Sequence, residues 1–230
     1  MKNTIKYLIL LIIYLVCGVN LQAQNYTFRN VVMSDGLSGL LVNAIYKDSE
    51  GFVWLGTDNC LDRFDGVKVR HYEFRGVDSG RKKRVNCITE TADNQLWVGN
   101  GIGLWRLNRA NGQLERIVPE KIDFAVNTLL PDGDILYIGT EKGLFIQEDG
   151  QLLQVLTDRN MLAACNRIMD LCLNEDKSAL WLATVQGLFS YSLKDGKIDS
   201  WHFQENVPEA DYFRCLTRIG ETLYLGTMSQ

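Results

Sequence analysis

One unit of 40 to 44 residues, repeated along the chain, limits what this sequence can fold into more than any other feature. Five segments align: "NAIYKDSEGFVWLGTDNCLDRFDG", "NCITETADNQLWVGNGIGLWRLNRANG", "NTLLPDGDILYIGTEKGLFIQEDG", "DLCLNEDKSALWLATVQGLFSYSLKDG" and the shorter "RCLTRIGETLYLGTMSQ". The marker Gly56 recurs as Gly99, Gly139, Ala183 and Gly226, in steps of 43, 40, 44 and 43 residues. Self-similarity at a fixed period of this size marks a repeat architecture, in which one unit cannot cover its own apolar faces and its neighbours must.

Within a copy the pattern reads as four short strands. The first, such as "NAIYKD", ends in a polar turn at Gly51, Asn94 or Gly133. The second centres on an aromatic residue: Trp54, Trp97, Tyr137, Trp181 or Tyr224. Side chains alternate across a strand, so in "FVWLGT" Phe52 and Trp54 face one way and Val53 and Leu55 the other. Both faces are apolar, which calls for a neighbouring sheet against each. The third strand ("LDRFD", "LFSYS") leads to Asp65-Gly66, Asn111-Gly112, Asp149-Gly150 or Asp195-Gly196. These pairs predict two-residue type I′ reversals into a fourth strand such as "VKVRHYEF" or "KIDSWHFQ". Four antiparallel strands per unit, radially repeated, describe an all-β fold, a β-propeller. Repeat cores near 43–66, 86–112, 127–150, 170–196 and 214–230 make about four blades plus the start of a fifth. Helical repeats of this length fit poorly, because the β-branched and aromatic runs are short and broken by glycine.

Residues 1–23 stand apart. Lys2 and Lys6 precede the apolar "YLILLIIYLVCGV", and "NLQAQ" follows, the pattern of a secretory signal sequence with Ala23 as the last residue removed. The propeller portion is then 24–230, and the chain is expected to be exported. Bulky Val16 before Cys17 argues against lipid attachment there. A net charge of −4 disfavours nucleic acid as a partner, and the basic run Arg81-Lys82-Lys83-Arg84 reads as a solvated loop.

The remaining cysteines, Cys60, Cys87, Cys165, Cys172 and Cys215, are odd in number and irregularly spaced, a poor disulfide framework. No CxxC or Cys/His cluster supports a metal, and His71 and His202 have no acidic partner at a recurring interval. In register, Cys87 and Cys215 share the place of Ala44 and Thr128, and Cys172 that of Ile45, Ile88 and Leu129, as small core residues. Cys60 stands where Gly103, Gly143 and Gly187 stand in sister copies, a turn position where a left-handed backbone is expected. The aromatic series reads as core because its register never varies. Off-pattern Trp105, at the place of Asp62, and Trp201 with His202 are the candidates for contact with a ligand. No catalytic or metal residue is assigned.

"DGLSG" at 35–39 followed by "VNAIYKDSEGFVWLGTDNCLDRFDG" closely resembles the opening of the two-component regulator propeller family. Trp54-Leu55-Gly56-Thr57, Leu61 and Arg63-Phe64-Asp65 match the family pattern in order, with weaker matches downstream. The resemblance implies the periplasmic sensor region of a hybrid two-component system that detects oligosaccharides and controls glycan-utilisation genes. It implies as partners an oligosaccharide, the rest of the sensor, its membrane kinase and a second copy in the full-length context, with no cofactor. No kinase, receiver or DNA-binding motif follows within these residues, and "NYTFRNVV" at 25–32 reads as a lone edge strand, so an N-terminal, non-catalytic fragment with an unclosed ring is expected. Two alternatives stay open: a protein-interaction propeller without a sugar ligand, and a propeller enzyme such as a lyase, which would need His, Glu or Arg converging on the channel.

Overall fold

In each copy two apolar-faced strands joined by a polar turn must pair with each other before anything else can cover them. The computed structural model describes residues 6–7, 28, 30–77, 80, 83–118, 120–156, 167–201 and 212–227. The first sheet holds β1 (Val42–Lys47), β2 (Val53–Thr57), β3 (Leu61–Phe64) and β4 (Val69–Tyr72); the second holds β5 (Val85–Glu90), β6 (Leu96–Asn100), β7 (Gly103–Asn108) and β8 (Gln113–Ile117). The third holds β9 (Val126–Asp132), β10 (Ile135–Thr140), β11 (Gly143–Glu148) and β12 (Gln151–Gln154); the fourth holds β13 (Ile168–Leu173), β14 (Ala179–Thr184), β15 (Gly187–Ser192) and β16 (Ile198–Trp201). A fifth, two-stranded sheet pairs β17 (Phe213–Ile219) with β18 (Thr222–Thr227). Every ladder is antiparallel and joins strands consecutive in the chain, the blade pattern of a propeller.

The chain divides into two units, Met1–Val31 and Val32–Gln230, and all five sheets lie in the second. The expected signal sequence, with Cys17 and Ala23, lies outside the described residues apart from Lys6 and Tyr7. So does most of the expected edge strand at 25–32, whose described residues carry no strand pairing. Cys165, His202, Arg81 and Lys82 are also outside them.

The core lies between consecutive blades. Trp54, Leu61 and Tyr72 of the first blade pack with Val85, Ile88 and Leu96 of the second. Trp97 and Leu104 meet Val126, Leu136 and Ile138, Tyr137 and Leu144 meet Ile168 and Leu171, and Ala183 and Leu188 meet Phe213 and Leu216. The aromatic series follows this coverage. Trp54, Trp97 and Tyr137 are buried, Trp181 is half-buried, and Tyr224 is 52% exposed on the uncovered face of the fifth sheet. On the opposite side Ile45 is 71% exposed, whereas its register mates Ile88, Leu171 and Leu216 are buried against a preceding blade. A buried indole needs an acceptor for its N–H. Trp54 Nε1 donates to Asp48 Oδ2 at 2.7 Å and Trp97 Nε1 to Thr91 Oγ1 at 3.1 Å, from the same place after the first strand.

Four details depart from expectation. Only Asp149-Gly150 has positive φ at both positions and joins its strands in two residues, Glu148 pairing with Gln151. Two of the other reversals take four residues, since Phe64 pairs with Val69 and Asn108 with Gln113, and the third takes six, since Tyr191 pairs with Ile198. In these, glycine alone is left-handed, and the Asp65 carboxylate accepts from Val67 and Lys68 N–H to hold the wider turn. Cys172 sits opposite Trp181, which places it with Tyr46, Thr89 and Leu130 rather than with Ile45, Ile88 and Leu129. Asp170 instead takes the place shared by Ala44, Cys87, Thr128 and Cys215, one residue later than a simple alignment puts it. Cys60 does not have a left-handed backbone, although Gly103, Gly143 and Gly187 do.

Candidate functional site

All five inner hairpins share an irregularity that no residue type announces. The register between first and second strand slips once in every blade: between Val42 and Ala44, Val85 and Cys87, Val126 and Thr128, Ile168 and Asp170, and Phe213 and Cys215. Each slip is a β-bulge, which leaves one residue out of the ladder and re-aims its side chain. The residues so placed are Asn43, Asn86, Asn127, Met169 and Arg214, and all five line one cleft of about 460 Å³. Arg84 and Arg167, each one residue ahead of a first strand, line it too. Gly101, Ala125 and Glu141 complete the wall.

Hydrogen bonds hold this wall in place. Asn86 Nδ2 donates to the Val126 carbonyl of the next blade at 2.9 Å, and Asn127 Nδ2 donates to Ile168 O at 2.9 Å. Asn43 Nδ2 donates to Asp58 Oδ1 within its own blade at 2.9 Å. Using the amide hydrogens on protein acceptors fixes each carboxamide and leaves its oxygen as an acceptor for a ligand. Among the described residues Glu141 is the single carboxylate of the lining and stands 3.7 Å from Arg167. Such a wall offers guanidinium donors and carboxamide acceptors, the complement of a polar, hydroxyl-rich or anionic ligand.

The residues singled out from sequence fall elsewhere. Trp105 is buried, edge-on to Phe74 at 5.0 Å, with Nε1 donating to Asn100 Oδ1, so it is core and not a ligand platform. Trp201 packs against Trp181 at a tilt of 59°, with ring centroids 5.7 Å apart. It pairs with Leu188 as buried Tyr72 pairs with Leu61, and Tyr72 packs on Trp54 in the same way. Its 49% exposure therefore reflects an uncovered blade face. The repeat residues Trp54, Gly56, Trp97, Gly99, Tyr137 and Gly139 lie in the stacked interior, away from the cleft lining.

A second constellation escaped sequence reasoning because its members belong to one blade only. Fully buried Asp62 accepts from Ser38 N–H at 2.8 Å and pairs with His71 Nδ1 at 2.7 Å. Ser38 Oγ is bonded to Thr57 Oγ1 at 2.9 Å and has no contact with His71. A hydrolytic relay needs the hydroxyl on the imidazole, so this is a latch that ties the 38–39 segment to the first blade. The described cysteines, Cys60, Cys87, Cys172 and Cys215, are free thiols. Burial, then the nearby Asp62 and Glu73 carboxylates, push the Cys60 thiol up, and burial does the same at Cys87 and Cys172. No group of three or more His, Cys, Asp or Glu suited to a metal occurs among the described residues.

Comparison with known proteins agrees with this geometry. Residues 36–59 match the model of the two component regulator propeller. Over 79 residues, 34% of this chain, the sequence is 32% identical to Histidine kinase P4 of Formosa agariphila, of which the match covers 6%. A solved structure described as the extracellular domain of a hybrid two component system from B. thetaiotaomicron superposes with a TM-score of 0.66 at 25% identity, over 81% of this chain and 26% of that one. Another such domain from the same organism gives a TM-score of 0.71 at 21% identity, over 88% of this chain and 30% of that one. The chain thus spans under a third of the length of each of these relatives. Residues 36–59 thus match one two component regulator propeller repeat, and the chain shares its fold with part of the extracellular domains of those hybrid two component systems.

Proposed function

We propose that the chain is an exported, non-catalytic piece of the sensor of a hybrid two-component regulator, and that it binds a saccharide in the cleft of bulge residues. The observation that carries this reading is the recurrence of one β-bulge in all five blades, each delivering its extra side chain to the same cleft. A bulge turns a side chain out of the pleat, which a binding wall needs, and here all five such side chains meet at one cleft. Fixed carboxamides and guanidiniums suit sugar hydroxyls. In a sensor, occupancy would reach the kinase through the remainder of the protein and so set transcription of glycan-utilisation genes.

Calorimetric titration of the full chain with a panel of neutral and acidic oligosaccharides tests this. Binding that weakens at least tenfold in Asn86→Ala and Asn127→Ala variants is the expected result. Saturable binding unaffected by both variants would move the site elsewhere, and uniform failure to bind any sugar would favour a protein-interaction propeller.

A further inference from the structure

We propose that the saccharide taken by the cleft carries an acetamido group, with Met169 covering its methyl and Asn127 Oδ1 accepting its N–H. The sugar frame rests on the saccharide reading above; the acetamido assignment rests on these two residues.

The bulge residue is asparagine in the first three blades, and the fourth blade puts Met169 in that place. Methionine inside a protein is ordinarily a gap-filler of the core. Met169 does not serve that way: it is half-buried and belongs to none of the four apolar clusters formed by the described residues. Apart from the small Ala125, it is the one apolar side chain of the cleft lining among the described residues. Its backbone is held on both sides. The Ile168 carbonyl accepts from Asn127 Nδ2 at 2.9 Å, and the Asp170 carboxylate accepts from Thr128 Oγ1 at 3.0 Å and from Leu216 N–H at 2.9 Å. These bonds come from the third and fifth blades, so the main chain is fixed while the unbranched thioether can mould itself to what it covers.

The bond from Asn127 also sets a carboxamide against the peptide that joins Ile168 to Met169. Its Nδ2 is engaged there, and its Oδ1 has no protein partner among the described residues. An acceptor beside a soft apolar surface is the complement of a group that carries an N–H donor and a methyl one carbonyl apart, which is a secondary acetamide. A hydroxyl in the same place would satisfy Asn127 and leave Met169 facing water. One covered methyl and one hydrogen bond together favour the acetamido sugar by about tenfold.

The test is calorimetric titration of the full chain with two matched pairs: N,N′-diacetylchitobiose against cellobiose, and N-acetyllactosamine against lactose. The members of each pair differ only in acetamido against hydroxyl. The expected result is that at least one acetamido member binds about tenfold or more tightly than its hydroxyl partner. Met169→Asn, which restores the residue of the first three blades, should bring that pair to within about twofold of parity while the urea midpoint stays unchanged. Met169→Leu, which keeps an apolar side chain of similar size, should retain most of the preference. Equal binding within both pairs would overturn the acetamido assignment and leave the saccharide reading intact. A preference that survives Met169→Asn undiminished would put the methyl elsewhere and overturn it as well. If none of the four sugars binds while another of the wider panel does, the proposal falls and the saccharide reading stands; if no sugar binds at all, both fall.

Discussion

Gly99 shows how tightly the blades are pressed together. A Cβ built there would overlap Cys87 Sγ of its own first strand and come within 2.6 Å of Val126 on the next blade. Gly56 and Gly139 face the same double obstruction, from Val85 and Ala44 and from Ile168 and Thr128. The exception, Ala183, is paired with Asp170, whose carboxylate is drawn away to Thr128 Oγ1 at 3.0 Å and to Leu216 N–H at 2.9 Å. One change makes room for the other. Gly99→Ala should therefore lower stability by about 1–3 kcal/mol through overpacking, while Ala183→Gly should cost only about 1 kcal/mol, both read from urea midpoints. Asp170 also makes stability depend on pH. Burial raises its carboxyl above the ordinary 3.8, and the bonds from Leu216, Leu171 and Thr128 oppose the rise without cancelling it. The folded state thus holds the proton more tightly than the unfolded one, and stability falls as pH rises from 3.8 through the raised value. Denaturation of wild type and Asp170→Asn in parallel should show the difference shifting in favour of wild type as pH drops from neutral towards 4.

At the scale of the element, the turn between second and third strands depends on a hydroxyl. Thr57, Thr140 and Thr184 each donate Oγ1–H to the carbonyl three residues on, at Cys60, Gly143 and Gly187, at 3.0, 2.8 and 2.9 Å. Thr140→Val keeps the shape and removes the donor, and should cost about 1–2 kcal/mol in chemical denaturation. The same geometry settles Cys60. Because its φ is not positive, Cys60→Gly relieves no strain and should destabilise by about 0.5–1 kcal/mol through the added freedom of the unfolded chain. Its raised thiol should react with a disulfide reagent at neutral pH more slowly than an unstructured cysteine peptide does. Strand order, strand content and the aromatic register were legible in the sequence because apolar alternation and glycine spacing record them directly. The bulges were not. A bulge is a property of pairing, and Asn43, Asn86 and Asn127 are unremarkable polar residues until a partner strand shows that they oppose nothing. For the same reason Asp170 and Cys172 slipped by one place in an alignment made without the ladder.

For the whole molecule, cohesion comes from side chains passing between sheets. Arg109 of the second blade reaches Glu50 of the first at 3.0 Å while bonding Glu90 of its own sheet at 2.7 Å. Ser49 N–H donates to Glu90 at 2.8 Å, and Arg218 Nε donates to the Leu173 carbonyl at 3.3 Å. The apolar faces do more. Ile88→Asp, placing a carboxylate between two blades, should cost several kcal/mol and unfold a marginal chain, whereas Ile45→Asp on the uncovered face should change stability by less than about 0.5 kcal/mol. A urea titration of the two variants compares them directly.

Since each hydrogen-bonded ladder closes within a run of chain shorter than one repeat, none of the described strands has to find a distant mate. Such a molecule behaves as a row of modules joined by nearest-neighbour couplings, with folding free to begin at any blade and spread outwards. Its backbone amides should exchange with deuterium along a gradient, slowest in the twice-covered second and third sheets and fastest in β1 and β18. The same independence gives a mechanism for change in length: a blade can be duplicated or lost by recombination between repeats without breaking a single backbone ladder in those that remain.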